Sequence, residues 1–213
     1  MLSHYIKNRA VNIDMLAGKA RTAISAAGDA EAELELIQSE SQQLLQMVRR
    51  VQSHVEDFHL IESAVSLRRI LDEALRSQES LLRKKQVEIK EDYGTDVQLI
   101  CDPVHLREVF VNLIRNAVEA MNGEARPKIL RIGMYRFRGG VRIEFADTGK
   151  GLSKDDLEKV FSPFYTTKQT EGNFGLGLTY CFLTVQKHDG TIEAFNSEEG
   201  DVFSIKFPKK RIS

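Results

Sequence analysis

The chain has 213 residues, with 30 Lys and Arg against 31 Asp and Glu and a net charge of −1 at pH 7. That balance excludes a bulk electrostatic draw toward nucleic acid, and the 42% hydrophobic share is enough for a real core. Cys101 and Cys181 stand far apart with no CxxC pattern, which argues against a zinc site or a disulfide framework and suits a reduced, cytosolic compartment.

The polar N-terminus has a helical pattern rather than that of a signal peptide. No apolar run approaches the ~20 residues of a membrane helix, so no membrane contact is expected of this chain. From Ile6 the apolar residues Ala10, Ile13, Ala17, Ala20, Ile24 and Ala27 alternate steps of four and three, a heptad seam. Gly28-Asp29 breaks it. Leu34, Ile37, Leu44, Val48, Val51, Val55 and Phe58 resume the rhythm. Two such helices predict an antiparallel hairpin. So thin a hairpin must cover its seam, either with a second copy in a four-helix bundle or by packing on its own globular domain.

The pattern changes near Ser63. Leu67 to Leu82 predicts an amphipathic helix, and Val87 to Ile100 two strands around a turn at Tyr93-Gly94-Thr95-Asp96. Asp102-Pro103 opens a helix that runs to Met121. Lys128–Phe137 and Val141–Ala146 read as a hairpin across Gly139-Gly140. A glycine-rich stretch from Asp147 to Gly177 precedes a helix over 178–187, and Thr191–Phe195 with Val202–Phe207 closes the chain as a second hairpin. This mixture is α+β, with helices on one face of a sheet. The basic runs Arg83-Lys84-Lys85 and Lys209-Lys210-Arg211 read as solvated surface.

Three segments could carry chemistry. On the helix after Pro103, Glu108, Asn112 and Asn116 fall at i, i+4 and i+8, along one edge beside the apolar face. Asn is a mediocre helix former; two in mid-helix either offer amide oxygens to a hard cation such as Mg²⁺ or bond neighbouring loops. The strand ending in Asp147 runs into Gly149 and Gly151. That pattern either seats a ligand's amino group on a carboxylate with backbone close by or makes an ordinary Asx-turn. Gly175-Leu176-Gly177 stands before a helix, where free N–H groups suit phosphate or where a flexible loop simply ends. Each is weak alone.

Together they resemble a known family. Asn112-x-x-x-Asn116, Asp147-x-Gly149-x-Gly151, Phe161-Ser-Pro163-Phe164-Tyr-Thr166-Thr167-Lys168 and Gly175-Leu-Gly177-Leu178 are similar to the N, G1, F and G2 boxes of the histidine kinase ATP-binding domain. That fold, the Bergerat type shared with gyrase-type ATPases, would be an α/β sandwich covering residues 63–213. The resemblance implies that ATP and Mg²⁺ are the cofactors. It gives Mg²⁺ to Asn116, a place beside the phosphates to Asn112, and the adenine amino group to Asp147. It makes residues 153–174 a lid anchored by Phe161 and Phe164, with Thr167 and Lys168 on the nucleotide, and it cradles the phosphates in Gly175, Leu176 and Gly177. One departure is visible. The family's Gly-x-Gly-Thr turn is here Gly200-Asp-Val-Phe203, so the resemblance does not carry over the adenine-side contact of that Thr, while the fold is unaffected.

Upstream, Leu2-Ser3-His4-Tyr5-Ile6-Lys7-Asn8 resembles the H-box of the same kinases. Residues 1–62 would then be the dimerisation and histidine phosphotransfer hairpin, with His4 the phospho-acceptor. Position alone favours a surface residue near a frayed terminus, and the resemblance reverses that reading. The remaining histidines, His54, His59, His105 and His188, read as structural. The family's acidic residue after the acceptor is here Tyr5, a poor base at neutral pH. Slow autophosphorylation is expected, or a carboxylate from the ATP domain such as Glu108 as base. Asn8, four after the histidine, would position the water that dephosphorylates the partner, and Tyr5 would bias the protein toward that phosphatase activity.

The resemblance thus implies a homodimeric two-component sensor kinase core, passing phosphate from His4 to an Asp on a response-regulator receiver. Since only three residues precede His4, the sequence is expected to be the cytoplasmic core of a larger or membrane-bound sensor, or a core whose sensor is a separate chain. Two rival readings remain: a Bergerat ATPase or serine kinase whose hairpin only dimerises, and a phosphatase-biased docking hub. A P-loop enzyme is disfavoured by the lack of GxxxxGK[ST].

Overall fold

Helix α1 spans Leu2–Ser25 and α2 residues 31–42. The computed structural model describes residues 2–25, 30–42, 59–94, 96–166 and 175–213, with side chains in the first stretch from residue 11 to 24. Gly28-Asp29 and the seam from Leu44 to Phe58 lie outside the described residues. Along the described seam Ala20 is buried and Ile13 and Ile37 are half-buried. Ile24 and Leu34 are 61% and 54% exposed, so part of the apolar stripe faces solvent in a single copy.

The chain divides into two compact units, Met1–Phe58 with Pro163–Leu176, and His59–Ser162 with Gly177–Ser213. The second unit opens with β1 (Ser63–Ser66), α3 (Leu67–Ser77), α4 (Glu79–Lys85), β2 (Glu88–Tyr93) and β3 (Gln98–Cys101). It continues with α5 (Pro103–Ala120), β4 (Ile129–Phe137), β5 (Gly140–Asp147), α6 (Lys154–Lys159), α7 (Gly177–Lys187), β6 (Thr191–Asn196) and β7 (Asp201–Phe207). Five strands form one sheet in the order β2-β4-β5-β7-β6, and β1 pairs with β3 in a second, two-stranded sheet. β2 runs parallel to β4 and every other pairing is antiparallel.

Period-two alternation gives the five-stranded sheet one buried face. Leu130, Ile132 and Met134 of β4, Val141, Ile143 and Phe145 of β5, and Phe203, Ile205 and Phe207 of β7 all join the core. Their alternates Arg131, Tyr135, Arg142, Glu144 and Lys206 are only partly buried. Helices α3, α5 and α7 supply the other layer through Leu67, Ile70 and Leu71, then Leu106, Val109, Phe110, Leu113 and Ile114, then Cys181 and Val185. This is a two-layer α+β sandwich, the architecture that the resemblance implies.

Three local outcomes differ from the sequence expectation. The helix predicted from Leu67 to Leu82 breaks at Gln78. There the Ser77 hydroxyl donates to the Ala74 carbonyl at 2.7 Å and the Gln78 N–H to Leu75 at 3.0 Å, a side-chain and short-range bonding pattern that competes with the helical ladder. The two strands predicted between Val87 and Ile100 exist but do not pair with each other. The reason is Asp96. Its carboxylate accepts from the Ser66 hydroxyl, the Arg68 N–H and the Val97 N–H, drawing the chain toward α3 and leaving β3 to pair with β1. Third, the glycine-rich stretch contains the short helix α6, started by a reciprocal capping box between Ser153 and Asp156.

Candidate nucleotide site

Helix α5 is the axis of the site. Asp102 caps it, accepting the Val104 and His105 N–H groups on Oδ1 at 3.0 and 3.1 Å, with Pro103 at the first helical position. Oδ2 of the same carboxylate accepts the Ile61 N–H at 2.8 Å. Burial alone would raise the Asp102 carboxyl. The N–H groups of Ile61, His105 and Val104, together with the nearby His105 ring, bring it below the ordinary carboxylate value instead. Further along, Phe110 packs tilted on Phe145 of β5, ring centres 5.6 Å apart. That contact turns the polar edge to one side: Glu108 is exposed, while Asn112 and Asn116 are half-buried.

Strand β5 delivers Asp147 to the edge of the sheet, 2% exposed. Its Oδ1 accepts the Gly149 N–H at 2.8 Å, an Asx-turn. The neighbouring Thr148 hydroxyl accepts the Ile129 N–H at 3.0 Å and donates to the Pro127 carbonyl at 2.7 Å, tying this turn to the start of β4. A side chain on Gly149 would stand 2.8 Å from the Ala120 carbonyl at the end of α5. One on Gly200, in the β6–β7 turn, would strike the Asp147 carbonyl oxygen. Gly151 is left-handed, at φ +78°. Two glycines are therefore required by close backbone approach and a third by its dihedral angle.

Helix α7 starts at Gly177, whose missing side chain leaves room for Asn112; a Cβ there would lie 3.1 Å from Asn112 Oδ1. Its first turn is held by the Thr179 hydroxyl on the Phe161 carbonyl at 3.2 Å and by Tyr180 Oη, 2.8 Å from His105 Nδ1 on α5. Burial pushes the Tyr180 phenol up to about 12, so it remains an un-ionised bonding partner. At the far end His188 is fully buried. Its Nε2 accepts the Asp102 N–H at 2.9 Å and its Nδ1 lies 2.7 Å from the Thr184 carbonyl, the pattern of a neutral ring protonated on Nδ1. Burial lowers its pKa, against the raising effect of Thr184. His105 and His188 thus have structural partners, as the sequence reading expects.

Within this unit the structure brings Asn112 to Gly177, and Asp147 to Gly149 and Gly200. Phe161 packs on Phe182 and Phe203, with ring centres 5.8 and 6.3 Å away. Gly175 and Leu176 belong to the other unit. There Gly175, at φ +65°, accepts the Phe164 N–H at 3.0 Å. Thr167 and Lys168 lie outside the described residues. His4 and Asn8 lie on α1, their side chains outside the described set. Sequence reasoning missed Thr148 and Asn196, and met Gly200 only as part of the altered turn. An Asn at a strand end reads as a turn former, and nothing local reveals that it bonds across to another loop.

The residues fit a nucleotide. Asp147 offers a buried carboxylate, Gly149 and Gly200 let the backbone close tightly around it, and the α7 N-terminus and the Asn112 amide flank one point. Among the described residues no group of three or more His, Cys, Asp or Glu could hold a metal by itself. A cation here would depend on amide oxygen and on the ligand's own phosphates.

This arrangement defines an ATP-binding domain, and the sequence agrees. The family described as histidine kinase-, DNA gyrase B-, and HSP90-like ATPase matches residues 101–211, and the chain belongs to it. Among curated relatives, the sensor histidine kinase ZraS of Escherichia coli strain K12 is 30% identical over 210 residues, 97% of this chain and 44% of that protein. The chain therefore spans less than half the length of that relative. The solved catalytic domain of histidine kinase ThkA is 28% identical, with TM-score 0.62 over 71% of this chain and 97% of that one. The structure of ThkA in complex with the response regulator protein TrrA gives TM-score 0.70 at 22% identity over 98% of this chain and 61% of that one, a likeness of fold.

Proposed function

We propose that this chain is the kinase core of a two-component sensor histidine kinase, working in the cytoplasm as a homodimer. Residues 1–62 would form the dimerisation and phosphotransfer hairpin and 63–213 the ATP-binding domain. One observation carries the nucleotide half of this reading: Asn112 packed against the glycine that opens α7, on the helix whose far end packs against the Asp147–Gly149 turn. The half-exposed heptad stripe on α1 and α2 supports the dimer.

Each residue has a task. Asp147 takes the adenine amino group. Gly149 and Gly151 let backbone approach the base, and Gly175, Leu176 and Gly177 present N–H groups to the phosphates. Thr167 and Lys168 add contacts on the phosphate side. Asn116 would give an amide oxygen to Mg²⁺, which when bound would supply positive charge against the transferring phosphoryl group, and Asn112 orients the phosphates on the same helix. A ring nitrogen of His4 attacks the γ-phosphorus in line and the bond to the ADP oxygen breaks. Glu108, exposed on α5, is the base that accepts the imidazole proton, because Tyr5 cannot at neutral pH. The phosphoryl group then passes to an Asp on a receiver domain, the type of partner with which ThkA was solved. Asn8 orients the water that later removes it.

The test is a transfer assay with a receiver domain. Label from γ-labelled ATP should appear first on this chain and then on the receiver. Asn8→Ala should leave that transfer intact and slow release of label from the receiver by about 10-fold or more, the scale of a lost positioning contact. Label that reaches the receiver equally fast without this chain would overturn the kinase reading. Unchanged release in Asn8→Ala would remove Asn8 from it.

A further inference from the structure

The glycine turn after Asp147 is secured at two ends, and only one lies in the recognised motif. The near end is held by Asp147 and Thr148, as described above. The far end is held from β6. Oδ1 of Asn196 accepts the Leu152 N–H at 3.0 Å, and Nδ2 of the same amide donates to the Leu152 carbonyl at 2.7 Å. One side chain thus satisfies both backbone groups of one residue, as an adjoining strand would, at the last position of its own strand.

The position of this pair gives it a consequence. Leu152 directly follows Gly151, whose left-handed φ of +78° reverses the chain, and directly precedes Ser153, the cap of α6. Gly151 itself lies against the amide, with a Cβ position 3.5 Å from Asn196 Oδ1. Between Asp147 and the residue that Asn196 holds only Thr148 to Gly151 intervene, so the two anchors together fix the path of the Gly149–Gly151 backbone. Glycine backbone is otherwise the least constrained in the chain. A loop that must be ordered when ligand arrives weakens binding by the entropy of ordering it, and one already held does not.

We propose that Asn196 is a positioning residue for the nucleotide: it touches no ligand but preorganises the Gly149–Gly151 backbone beside Asp147. This rests on the nucleotide-binding reading above. Loss of the amide leaves the sheet intact, because the β6 and β7 backbones remain paired from Thr191↔Lys206 to Asn196↔Asp201. The effect belongs to binding rather than to folding.

The experiment compares Asn196→Ala and Asn196→Asp with the wild-type chain. It measures ADP binding by calorimetry, thermal melting without nucleotide, and amide exchange at Leu152. The Ala variant should bind ADP about 5- to 10-fold more weakly and exchange faster at Leu152, with its nucleotide-free melting temperature close to wild type. Asp keeps the acceptor for the Leu152 N–H but sets a carboxylate against the carbonyl, so its affinity should fall between the two. Equal affinity in wild type and Ala would overturn the proposal while leaving the nucleotide site standing. An equal loss of affinity and of nucleotide-free melting temperature would also overturn it, making Asn196 merely structural. Failure of the wild-type chain to bind ADP would instead overturn the underlying reading.

Discussion

At the scale of single residues, Asp147 carries most of the ligand specificity in this account. Its Oδ1 is engaged by the Gly149 N–H, and a carboxylate has further lone pairs with which to accept an amino group. An amide in its place would set an NH₂ donor against another donor. Asp147→Asn should therefore weaken ATP binding by about 2 kcal/mol, the scale of a hydrogen bond to a charged group, and affect GTP far less; equal effects on both would contradict the assignment. A second residue, His188, offers a test through pH. Its folded-state pKa lies below the ordinary value, so the unfolded chain binds the proton more readily. The stability that the neutral ring contributes is complete above about pH 6.5 and is lost as pH falls from there toward the folded-state value. Thermal melts between about pH 7.5 and 5.5 should show a decline that flattens in His188→Gln; an unchanged slope would mean another group is responsible.

At the scale of elements, the N-terminus of α5 joins two parts of the unit. Asp102 caps the helix with one oxygen and holds the incoming Ile61 N–H with the other. Arg211 adds a second tie, pairing with Glu62 at 2.5 Å and with Asp189 at 2.8 Å. Asp102→Ala should destabilise the unit by about 1–2 kcal/mol in urea unfolding, and an unaltered midpoint would show the cap to be dispensable. These ties also mark the limit of what the sequence reveals. The cap itself was legible, because Asp-Pro before an apolar helix is a local signal. The strands β4, β5, β6 and β7 were legible for the same reason: their alternation and their glycine turns sit within each hairpin. The separation of β2 from β3 was not, because it depends on Asp96 meeting Ser66 and Arg68, 30 and 28 residues away. Likewise the Asp147 turn could be read from its own glycines, whereas Asn196 bonds Leu152 across 44 residues.

At the scale of the whole molecule, the proposed function asks an apolar seam on α1 and α2 and a nucleotide site on α5 to serve one reaction. The site alone is common to ATPases of several kinds. What would make it a histidine kinase is the acceptor proposed at His4 on α1, so the decisive measurement concerns that residue. The purified chain is incubated with Mg²⁺ and γ-labelled ATP beside a His4→Gln variant, and the bound label is tested for acid lability. We expect label that acid removes and that is missing from the variant, since a phosphorus–nitrogen bond on His4 accounts for both. Acid-stable label that persists in His4→Gln would contradict the account and point to a serine kinase built on the same ATP-binding fold.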